Sequence, residues 1–322
     1  MSNRMQLTVS HAPFWHTGSS ASVKYYHIMA AAMIAVIAGL VQYGIPALAV
    51  IALSVGSAMI WESIFNYLAK RPNTIHDGNA ALIGLLFAML LPAVTPWWVV
   101  ITGTFVAIVI GKQIYGGLGA NPFNPVVVAY AILILSWPIF LDYNAALVDY
   151  AFSFDPAYPM AAAKFQGVAA VENFSITDLL MGRQTAGIGT GFGIGLIVGG
   201  VYLIVRGFIR WEIAVSFLAG IFVTALLFNL KNPEVYAGPA FHVFTGMSLI
   251  GAFFLATEDS SSPVNFFPML IYGALGGFLT VLIRNIGVHV DGVIFALLII
   301  SLVNPIVDKI RPKAKRRVTN YA

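Results

Sequence analysis

Long apolar runs separated by short polar segments fill most of the chain, and their lengths give the first prediction. A helix that crosses the hydrocarbon core of a bilayer needs about 20 predominantly apolar residues. Ten runs approach that length: 26–44, 46–68, 79–93, 97–115, 123–141, 187–206, 211–229, 240–257, 264–284 and 290–308. We therefore predict an all-α membrane protein with about ten transmembrane helices.

The composition agrees with this prediction. Of the 322 residues, 59% are apolar and 9% are charged, whereas about 25% are charged in an average soluble protein. So few charged side chains cannot coat a water-exposed surface, which excludes a soluble enzyme, a disordered chain and an ordinary nucleic-acid binder. The chain has no cysteine, which also excludes disulfides, thiolate metal sites and iron–sulfur clusters held by this chain.

The Lys and Arg residues divide unevenly between the two sides of the predicted spans. If both termini are cytoplasmic, 13 of the 17 basic residues fall inside and 4 fall outside. The four outside residues are Lys164, Arg183, Lys231 and Arg284. Because basic residues accumulate in cytoplasmic loops, we predict a multi-pass membrane protein with both termini in the cytoplasm.

The predicted spans form two sets of five around the longest polar stretch. Third in each set is a segment that is short for a span and is bounded by helix breakers, at 79–96 and 241–263. Because five is odd, the second set enters the membrane from the opposite side, which gives an inverted five-plus-five repeat with short or broken helices. The predicted parts are a cytoplasmic arm (1–25), transmembrane repeat 1 (26–141), an aromatic, ordered extracytoplasmic loop (142–186), transmembrane repeat 2 (187–308) and a basic cytoplasmic tail (309–322).

The segment GKQIYGGLGANPFNP (111–125) has the most unusual composition in the chain. The glycines of its YGGLG run permit backbone conformations that a Cβ forbids, and each Asn-Pro pair favours an extended residue before a new helix. Backbone amides and Asn side chains at such a turn fit an anion or a flat aromatic ring. A tight turn that lets two helices approach closely explains the same residues, and both interpretations stay open.

Carboxylates flank the two short segments. Asp77 precedes the first, and Thr257, Glu258 and Asp259 end the second. Carboxylates beside broken membrane helices are candidate cation ligands, so these four residues form a candidate ion path. Helix capping by Asp77 and simple solvation of the acidic pair are the alternatives. The sequence predicts neither catalytic residues nor a metal centre.

For three further acidic residues and one glycine run, we expect a structural role and no role in binding. Glu62, Glu212 and Asp291 fall near the ends of predicted helices, and we expect them at the membrane–water boundary. The run GIGTGFGIG (187–195) follows no strand, so a dinucleotide fingerprint is excluded. We interpret it as a face on which helices pack closely.

Nearly the whole chain resembles a known family of membrane proteins, in matching order. The resemblance rests on residues 78–100, 116–138, 241–263 and 273–308, and in particular on GGLGANPFNPVVVAYAILILSWP and FHVFTGMSLIGAFFLATEDSSSP. This is the RnfD/NqrB family, whose members are membrane components of the Rnf electron-transport complex and of the Na⁺-translocating NADH:quinone reductase. The resemblance implies a urea-transporter-like inverted repeat within an ion-motive redox complex of a prokaryotic inner membrane.

The resemblance also implies flavin cofactors. A non-covalent flavin such as riboflavin is implied near the Gly-rich turn, where Lys112, Asn121, Phe123 and Asn124 are the candidate residues. Members of the family usually carry covalent FMN on a threonine of the extracytoplasmic loop. Tyr158 stands at the corresponding place here, within SFDPAYPMAAAK. Because tyrosine lacks the small aliphatic hydroxyl that bears the flavin, we expect no covalent FMN.

These expectations lead to one primary hypothesis and two alternatives. The primary hypothesis is a membrane subunit, non-catalytic or electron-transferring, of an Rnf-like or Na⁺-pumping-reductase-like complex that couples electron transport to Na⁺ or H⁺ movement. One alternative is a stand-alone channel or transporter for a small solute or ion. The other is a structural anchor for an extracytoplasmic cytochrome or flavoprotein that docks on loop 142–186.

Overall fold

The computed structural model describes residues 20–148, 150–154, 157–171 and 174–310, and within these ranges every regular element is a helix. In chain order the α-helices are α1 (Ala21–Tyr43), α2 (Ile45–Leu68), α3 (Asn79–Leu90), α4 (Trp97–Phe105), α5 (Pro125–Ser136), α6 (Tyr143–Ala146), α7 (Pro159–Gln166), α8 (Ile176–Met181), α9 (Gly193–Val205), α10 (Trp211–Lys231), α11 (Pro239–Phe244), α12 (Ser248–Ile250), α13 (Phe266–Asn285) and α14 (Val293–Val307). Two π-helical turns, Val106–Gln113 and Gly251–Leu255, continue α4 and α12. The predicted N-terminal arm and basic tail lie almost entirely outside the described residues.

Local sequence explains where the first helices begin and end. Ser20 caps α1, because its hydroxyl accepts a hydrogen bond from the backbone N–H of Val23 at 3.3 Å. Gly44 separates α1 from α2 with a φ of 68°, a left-handed conformation that glycine adopts without strain. Pro46 then occupies the first turn of α2, where its missing N–H costs nothing.

Each of the ten predicted apolar runs contains an α-helix. Four helices (α1, α2, α10 and α13) are long and apolar enough to cross a bilayer, and the helices of the other runs are shorter. Large apolar side chains are exposed on the outside of the long helices, for example Ile60 on α2 and Leu227 on α10. Such exposure suits lipid rather than water. The chain is therefore a multi-pass membrane protein.

The predicted loop 142–186 is helical in part, since it contains α6, α7 and α8. The interpretation of the run 187–195 as a helix-packing face is partly wrong, because only its last three residues are helical. Helix α9 begins only at Gly193, and the preceding glycines form a turn that packs on the end of α3. In this turn the N–H of Ile188 donates to the carbonyl of Leu91 at 3.0 Å. Glycine has low helix propensity, and here it allows two backbones to come together.

The two short segments differ from each other. Helix α3 is a single helix of 12 residues. The second segment is broken between α11 and α12, where Gly246 has a φ of 63°. A Cβ at this position would collide with the carboxylate of Asp291. Both the left-handed conformation and the close contact therefore require glycine at the break.

Helix packing follows the same scheme in the first and second halves of the chain. Helix α2 packs against α3 and α4, and α10 packs against α11 and α13. Contacts between the halves pair α1 with α9 and α5 with α14. Gly273 and Gly277 let α13 approach α10 so closely that a Cβ at either position would overlap atoms of α10. Small residues at such crossings are typical of membrane helices.

Polar side chains cluster at two opposite ends of the bundle. We name the end that contains Glu62, Lys112 and Glu258 the Glu258 face, and the end that contains Arg284 and Asp291 the Asp291 face. Helix α13 connects them, because it starts shortly after the Glu258 region and ends at Asn285. Its 20 residues span about 30 Å at a rise of about 1.5 Å per residue.

Candidate functional site

A buried ion pair joins α2 to the π-helical turn that follows α4. Lys112 Nζ donates to Glu62 Oε1 at 2.8 Å, and the two side chains are 2% and 0% exposed. π-Helical turns of this kind are common at functional sites. The bundle therefore holds a full positive and a full negative charge out of contact with solvent.

The two oxygens of Glu62 differ in their surroundings. Thr74 Oγ1 and Gln113 Nε2 also donate to Glu62 Oε1, at 2.6 and 3.4 Å. Glu62 Oε2 is buried and has no hydrogen-bond partner in the part of the chain that the structure describes. Glu62 lies in the second half of α2, and its side chain is enclosed by protein groups instead of being exposed. Lys112 stabilises it inside the bundle, although 50 positions separate the two residues.

The Gly-rich turn adopts conformations that depend on glycine. Gly116, Gly117 and Gly119 have φ values of 122°, 102° and 83°, which residues with a Cβ rarely adopt. Arg71 Nη1 donates to the carbonyl of Gly116 at 3.3 Å and fastens the turn to the end of α2. The sequence-based prediction of a tight turn is confirmed.

Asn121 and Asn124 connect this turn to the segment after the second π-helical turn. Asn121 Nδ2 donates to Glu258 Oε1 at 3.1 Å and to the carbonyl of Phe123 at 2.9 Å. Asn124 Nδ2 donates to the carbonyl of Leu255 at 3.0 Å, while its Oδ1 caps the N-terminus of α5. Both amide side chains are thus bonded to protein groups. They bring the two motifs singled out in the sequence into direct contact.

Glu258 is the central carboxylate of this junction. Its Oε2 accepts from the hydroxyl and the backbone N–H of Ser261 at 2.6 and 3.0 Å. Burial raises the pKa of Glu258 above its usual value, and hydrogen bonds from Ser261 and Asn121 partly oppose that shift. Thr257 is buried beside it and donates to the carbonyl of Phe253 at 2.7 Å.

Asp259 and Asp77 lie nearer the surface. Lys24 Nζ donates to Asp259 Oδ2 at 2.5 Å, which ties α1 to the segment before α13. Asp77 Oδ1 accepts from the N–H of Asn79, the first residue of α3, at 2.7 Å, whereas the N-cap position of α3 is occupied by Gly78. Burial also raises the pKa of Asp77.

A small cavity lies between these residues. Its volume is ≈ 60 Å³. The predicted site residues that line it are Lys112, Asn121, Asn124, Thr257, Glu258 and Asp259. Phe123 and Asp77 are not among its lining residues. Pockets for drug-sized ligands usually enclose about 300–1,000 Å³, so a flavin ring does not fit this cavity as it stands. It does have room for water molecules or a single cation.

A second buried ion pair lies at the Asp291 face. Arg284 Nη2 donates to Asp291 Oδ1 at 2.9 Å, and the side chains are 0% and 10% exposed. Arg284 Nη1 donates to the carbonyl of His242 at 2.7 Å, and Asp291 Oδ2 accepts from the N–H of Met247 at 2.7 Å. The pair therefore holds the break between α11 and α12 against the start of α14. Asp291 lies just before α14, and its side chain is likewise enclosed by protein groups instead of being exposed.

Tyr158 points into this second cluster. Its hydroxyl lies 3.5 Å from Asp291 Oδ2, its N–H donates to Asn144 Oδ1 at 2.8 Å, and its ring packs edge-on against Tyr143. Burial raises the pKa of Tyr158 well above its usual value, and the charge of Asp291 adds to the shift. The hydroxyl is neutral, enclosed and directed at a carboxylate. This geometry does not fit a phosphodiester link to FMN.

Lys164 fastens the helix that follows Tyr158 to the end of α13. Its Nζ donates to the carbonyls of Arg284, Gly287 and His289 at 3.2, 2.7 and 2.5 Å. These three bonds use every N–H of the ammonium group. Lys164 is thus a cap for α13 and an anchor for the loop that carries Asp291.

Sequence reasoning missed Glu62, Arg284 and Asp291 as members of the polar clusters. A signal was available, because each lies in or beside an apolar run where an unpaired charge is expensive. Glu212, at the start of α10, is half-buried. Within the described ranges, no group of three or more His, Asp or Glu side chains is close enough to hold a metal ion.

Buried ion pairs at both ends of an apolar helical bundle, beside interrupted helices, are typical of a polytopic membrane protein. Comparison with known proteins gives the particular family. A model of the NQR2, RnfD, RnfE family matches residues 8–316, and the chain belongs to that family.

Sequence identity to individual proteins supports the family assignment. The chain is 34% identical over 310 residues to the D subunit of the Na(+)-translocating ferredoxin:NAD(+) oxidoreductase complex of Acetobacterium woodii, with 95% of this chain and 94% of the relative covered. It is 31% identical over 338 residues to the D subunit of the ion-translocating oxidoreductase complex of Aliivibrio salmonicida, with 94% and 96% covered. For the protein of the same name from Sodalis glossinidius the identity is 32% over 335 residues, with 94% and 97% covered.

Removing one member of the buried pair at the Glu258 face should destabilise the protein strongly. Lys112→Met leaves the Glu62 carboxylate without its counter-charge, and we expect a loss of about 3–5 kcal/mol in the free energy of unfolding. The double variant Glu62→Gln with Lys112→Met should recover most of that loss, because no buried charge remains. Thermal unfolding of the purified chain in detergent, analysed as a double-mutant cycle, measures both effects.

Lys231→Met is the matched control, because Lys231 is exposed at the end of α10. Its effect should stay within about 0.5 kcal/mol. A Lys112→Met protein as stable as the wild type would contradict the structural role of the pair.

Proposed function

We propose that the chain is an integral membrane subunit of an Rnf-type complex that couples electron transport to the movement of Na⁺ or H⁺. The observation that carries this proposal is similarity over almost the whole chain to proteins named as the D subunit of such complexes. A stand-alone transporter would not require that relationship. The other subunits are then its principal partners.

The junction at the Glu258 face is the proposed ion path. Its support is a half-buried carboxylate beside an interrupted helix, next to a cavity of ≈ 60 Å³. Glu258 and Thr257 provide oxygen atoms at the cavity, and Asp259 and Asp77 provide negative charge nearer the surface. Hard monovalent cations favour such oxygen ligands. The buried, unsatisfied oxygen of Glu62 adds a further acceptor close to Lys112.

We further propose that the fold is a ten-span inverted repeat of the urea-transporter type with both termini in the cytoplasm. The matching packing of α2 with α3 and α4, and of α10 with α11 and α13, supports two related halves. The excess of basic residues on one side supports the orientation. The Glu258 face is then cytoplasmic, and loop 142–186 is extracytoplasmic.

The polar cluster at the Asp291 face concerns covalent FMN, and the polar cluster at the Glu258 face concerns a non-covalent flavin. We propose that no FMN is attached at Tyr158, because its hydroxyl is enclosed and faces Asp291. A non-covalent flavin near Lys112, Asn121, Phe123 and Asn124 stays a prediction, and it requires the small cavity to open. Extracytoplasmic partners, such as a cytochrome or flavoprotein, would contact the exposed apolar residues of loop 142–186.

Neutralising Glu258 should stop ion movement. In inverted vesicles that contain the whole complex, Glu258→Gln should lower the initial rate of redox-driven Na⁺ or H⁺ uptake at least tenfold, since the glutamine cannot neutralise a cation. Uptake of radioactive sodium, and acidification in sodium-free buffer, distinguish the two ions. Electron transfer measured in parallel separates a transport defect from a failure of assembly.

Glu234→Gln is the matched control, because Glu234 is exposed in the loop after α10. Its uptake rate should equal that of the wild type. Full uptake by Glu258→Gln would disprove the ion path, whereas a tagged chain that purifies alone and without other subunits would disprove the proposed complex.

The chain should carry no covalent flavin. After denaturing electrophoresis of the purified complex, the band of this chain should show no flavin fluorescence under ultraviolet light. The mass of the intact chain should match its sequence without an added FMN. A fluorescent band would refute this prediction, and its persistence in Tyr158→Phe would locate the attachment elsewhere.

Orientation is testable with single cysteines, because the natural chain has none. Gln166→Cys and Glu234→Cys should react with a membrane-impermeant maleimide in spheroplasts, and Asn73→Cys should react only after lysis. All three side chains are exposed. The natural chain, which has no cysteine, is the negative control for maleimide labelling. Reaction of Asn73→Cys in sealed spheroplasts would reverse the proposed orientation, and reaction of all three would contradict the span arrangement.

A further inference from the structure

The turn between α9 and α10 (206–210) carries two exposed arginines, Arg206 and Arg210. Within the described ranges, neither takes part in any of the four salt bridges. By contrast, Arg183 and Arg284 are both paired with carboxylates. Ile209, between the two exposed arginines, lines the small cavity beside Glu258, so the turn lies at the Glu258 face. The proposed function does not use these two charges.

The backbone of the turn is fixed by hydrogen bonds to the end of α9. The N–H of Phe208 donates to the carbonyl of Leu203 and the N–H of Gly207 donates to the carbonyl of Ile204, both at 2.9 Å. Gly207 has a φ of 71°, the left-handed conformation that ends many helices in this pattern. The turn therefore presents its two arginines from a defined backbone.

A stack of side chains holds Arg206 in place. Its guanidinium carbon lies 5.8 Å from the centroid of the Phe208 ring, within the range of a cation–π contact. Phe208 in turn stacks on His27 of α1 with 4.7 Å between ring centroids. His27 Nδ1 lies 2.7 Å from the hydroxyl oxygen of Tyr202 on α9. The stack positions Arg206 through its flat face, which leaves its N–H groups available to an acceptor.

The exposed apolar residues next to the turn suit lipid chains. On α9, Val198, Val201 and Val205 lie on one face and are exposed. On α10, Trp211 and Val215 are exposed one helical turn apart. Tryptophan is enriched at the membrane–water boundary, and Trp211 directly follows Arg210. The two arginines therefore lie at the level of the lipid headgroups, at the end of an apolar surface that extends along both helices.

Charge decides which headgroup the turn accepts. Arg206 and Arg210 present two positive charges, whereas Glu212, the nearest acidic residue in sequence, is half-buried and its Oε2 is enclosed by protein. A zwitterionic headgroup would bring its own ammonium group close to the arginines. An anionic headgroup brings only negative charge, and guanidinium groups bind phosphate oxygens in a bidentate manner. Four residues span at most about 14 Å, so the two long side chains can meet at one headgroup.

We propose that the α9–α10 turn binds the phosphate group of an anionic phospholipid. The guanidinium groups of Arg206 and Arg210 donate to the phosphate oxygens, and the acyl chains lie along the exposed apolar residues of α9 and α10. Basic groups between membrane helices recognise anionic headgroups in this way. The site is independent of the ion path and would exist whether or not Glu258 conducts ions.

The wild-type test compares two lipids at two surfaces of the same protein. The whole complex is placed in nanodiscs of equal parts phosphatidylglycerol and phosphatidylcholine, and one of the two carries a photoreactive diazirine on its acyl chain. Mass spectrometry then gives the ratio of phosphatidylglycerol to phosphatidylcholine adducts on each peptide. The ratio should be at least fivefold higher within 198–215 than within 58–68 of α2. Equal ratios at the two surfaces would overturn the proposal.

The control surface on α2 is a strict one. Ile60 and Ile64 are exposed there, and α2 ends just before Lys70 and Arg71. General attraction between basic residues and anionic lipid is therefore present at this surface too. A higher ratio at 198–215 measures what the arranged pair of arginines adds to that attraction.

Variants assign the effect to the two arginines. Each basic residue near an anionic surface contributes about a fivefold preference. Arg206→Gln with Arg210→Gln should therefore lower the ratio at 198–215 to that of the control surface. Lys231→Gln with Lys309→Gln removes two exposed positive charges elsewhere and should leave the ratio unchanged. A wild-type ratio in the double arginine variant would disprove the site.

Three further measurements separate lipid from other acceptors. Both arginines are exposed, so the variant complex should assemble with the wild-type unfolding temperature, and the wild-type comparison stands without any variant. If inorganic phosphate at constant ionic strength abolishes the enrichment, the acceptor is a free anion and the proposal fails. It also fails if the double variant loses another subunit while its lipid ratio stays as in the wild type, because the arginines then bind a protein.

Discussion

A charge buried between apolar helices must have a partner, and this requirement organises both ends of the protein. An unpaired ion in such an interior costs several kcal/mol even after relaxation. Glu62 is neutralised by Lys112 at the Glu258 face, and Asp291 is neutralised by Arg284 at the Asp291 face. Each pair sits where a helix is irregular or broken. The irregular backbone is tolerated because it is enclosed by protein rather than exposed to lipid.

The carboxylates of the two ion pairs differ in how many of their oxygens accept hydrogen bonds, and this difference affects what each pair can do. Both oxygens of Asp291 accept hydrogen bonds, and they fix the helix break, the start of α14 and Tyr158 in one network. Glu62 keeps one buried oxygen that no described group satisfies. An unsatisfied acceptor of this kind costs about 1–3 kcal/mol, and water or a cation relieves that cost. The pair at the Asp291 face is therefore a structural clamp, whereas the pair at the Glu258 face can accept a further donor.

The sequence predicted the helices well because membrane helices are set by local apolar length. It also predicted the tight turn at Gly116–Gly119, since only glycine adopts such φ values freely. It did not predict that Glu62 and Lys112 meet, because 50 positions separate them and one sequence does not specify which helices pack together. The cavity of ≈ 560 Å³ beside Tyr158 was unpredictable for the same reason. Its walls come from α5, α7 and α14, which are adjacent only after folding.

The side chain at position 158 determines whether an accessible hydroxyl is present at this place in the loop. A threonine there would leave a small hydroxyl beside the cavity, whereas the tyrosine ring extends to Asp291 and closes the polar end of the space. The Arg284–Asp291 pair then has an aromatic wall beside it. Arg284 and Lys164 direct their donors to protein oxygens, so neither cation faces the space beside Tyr158 with a free donor. The proposed absence of a covalent flavin thus depends on this one side chain.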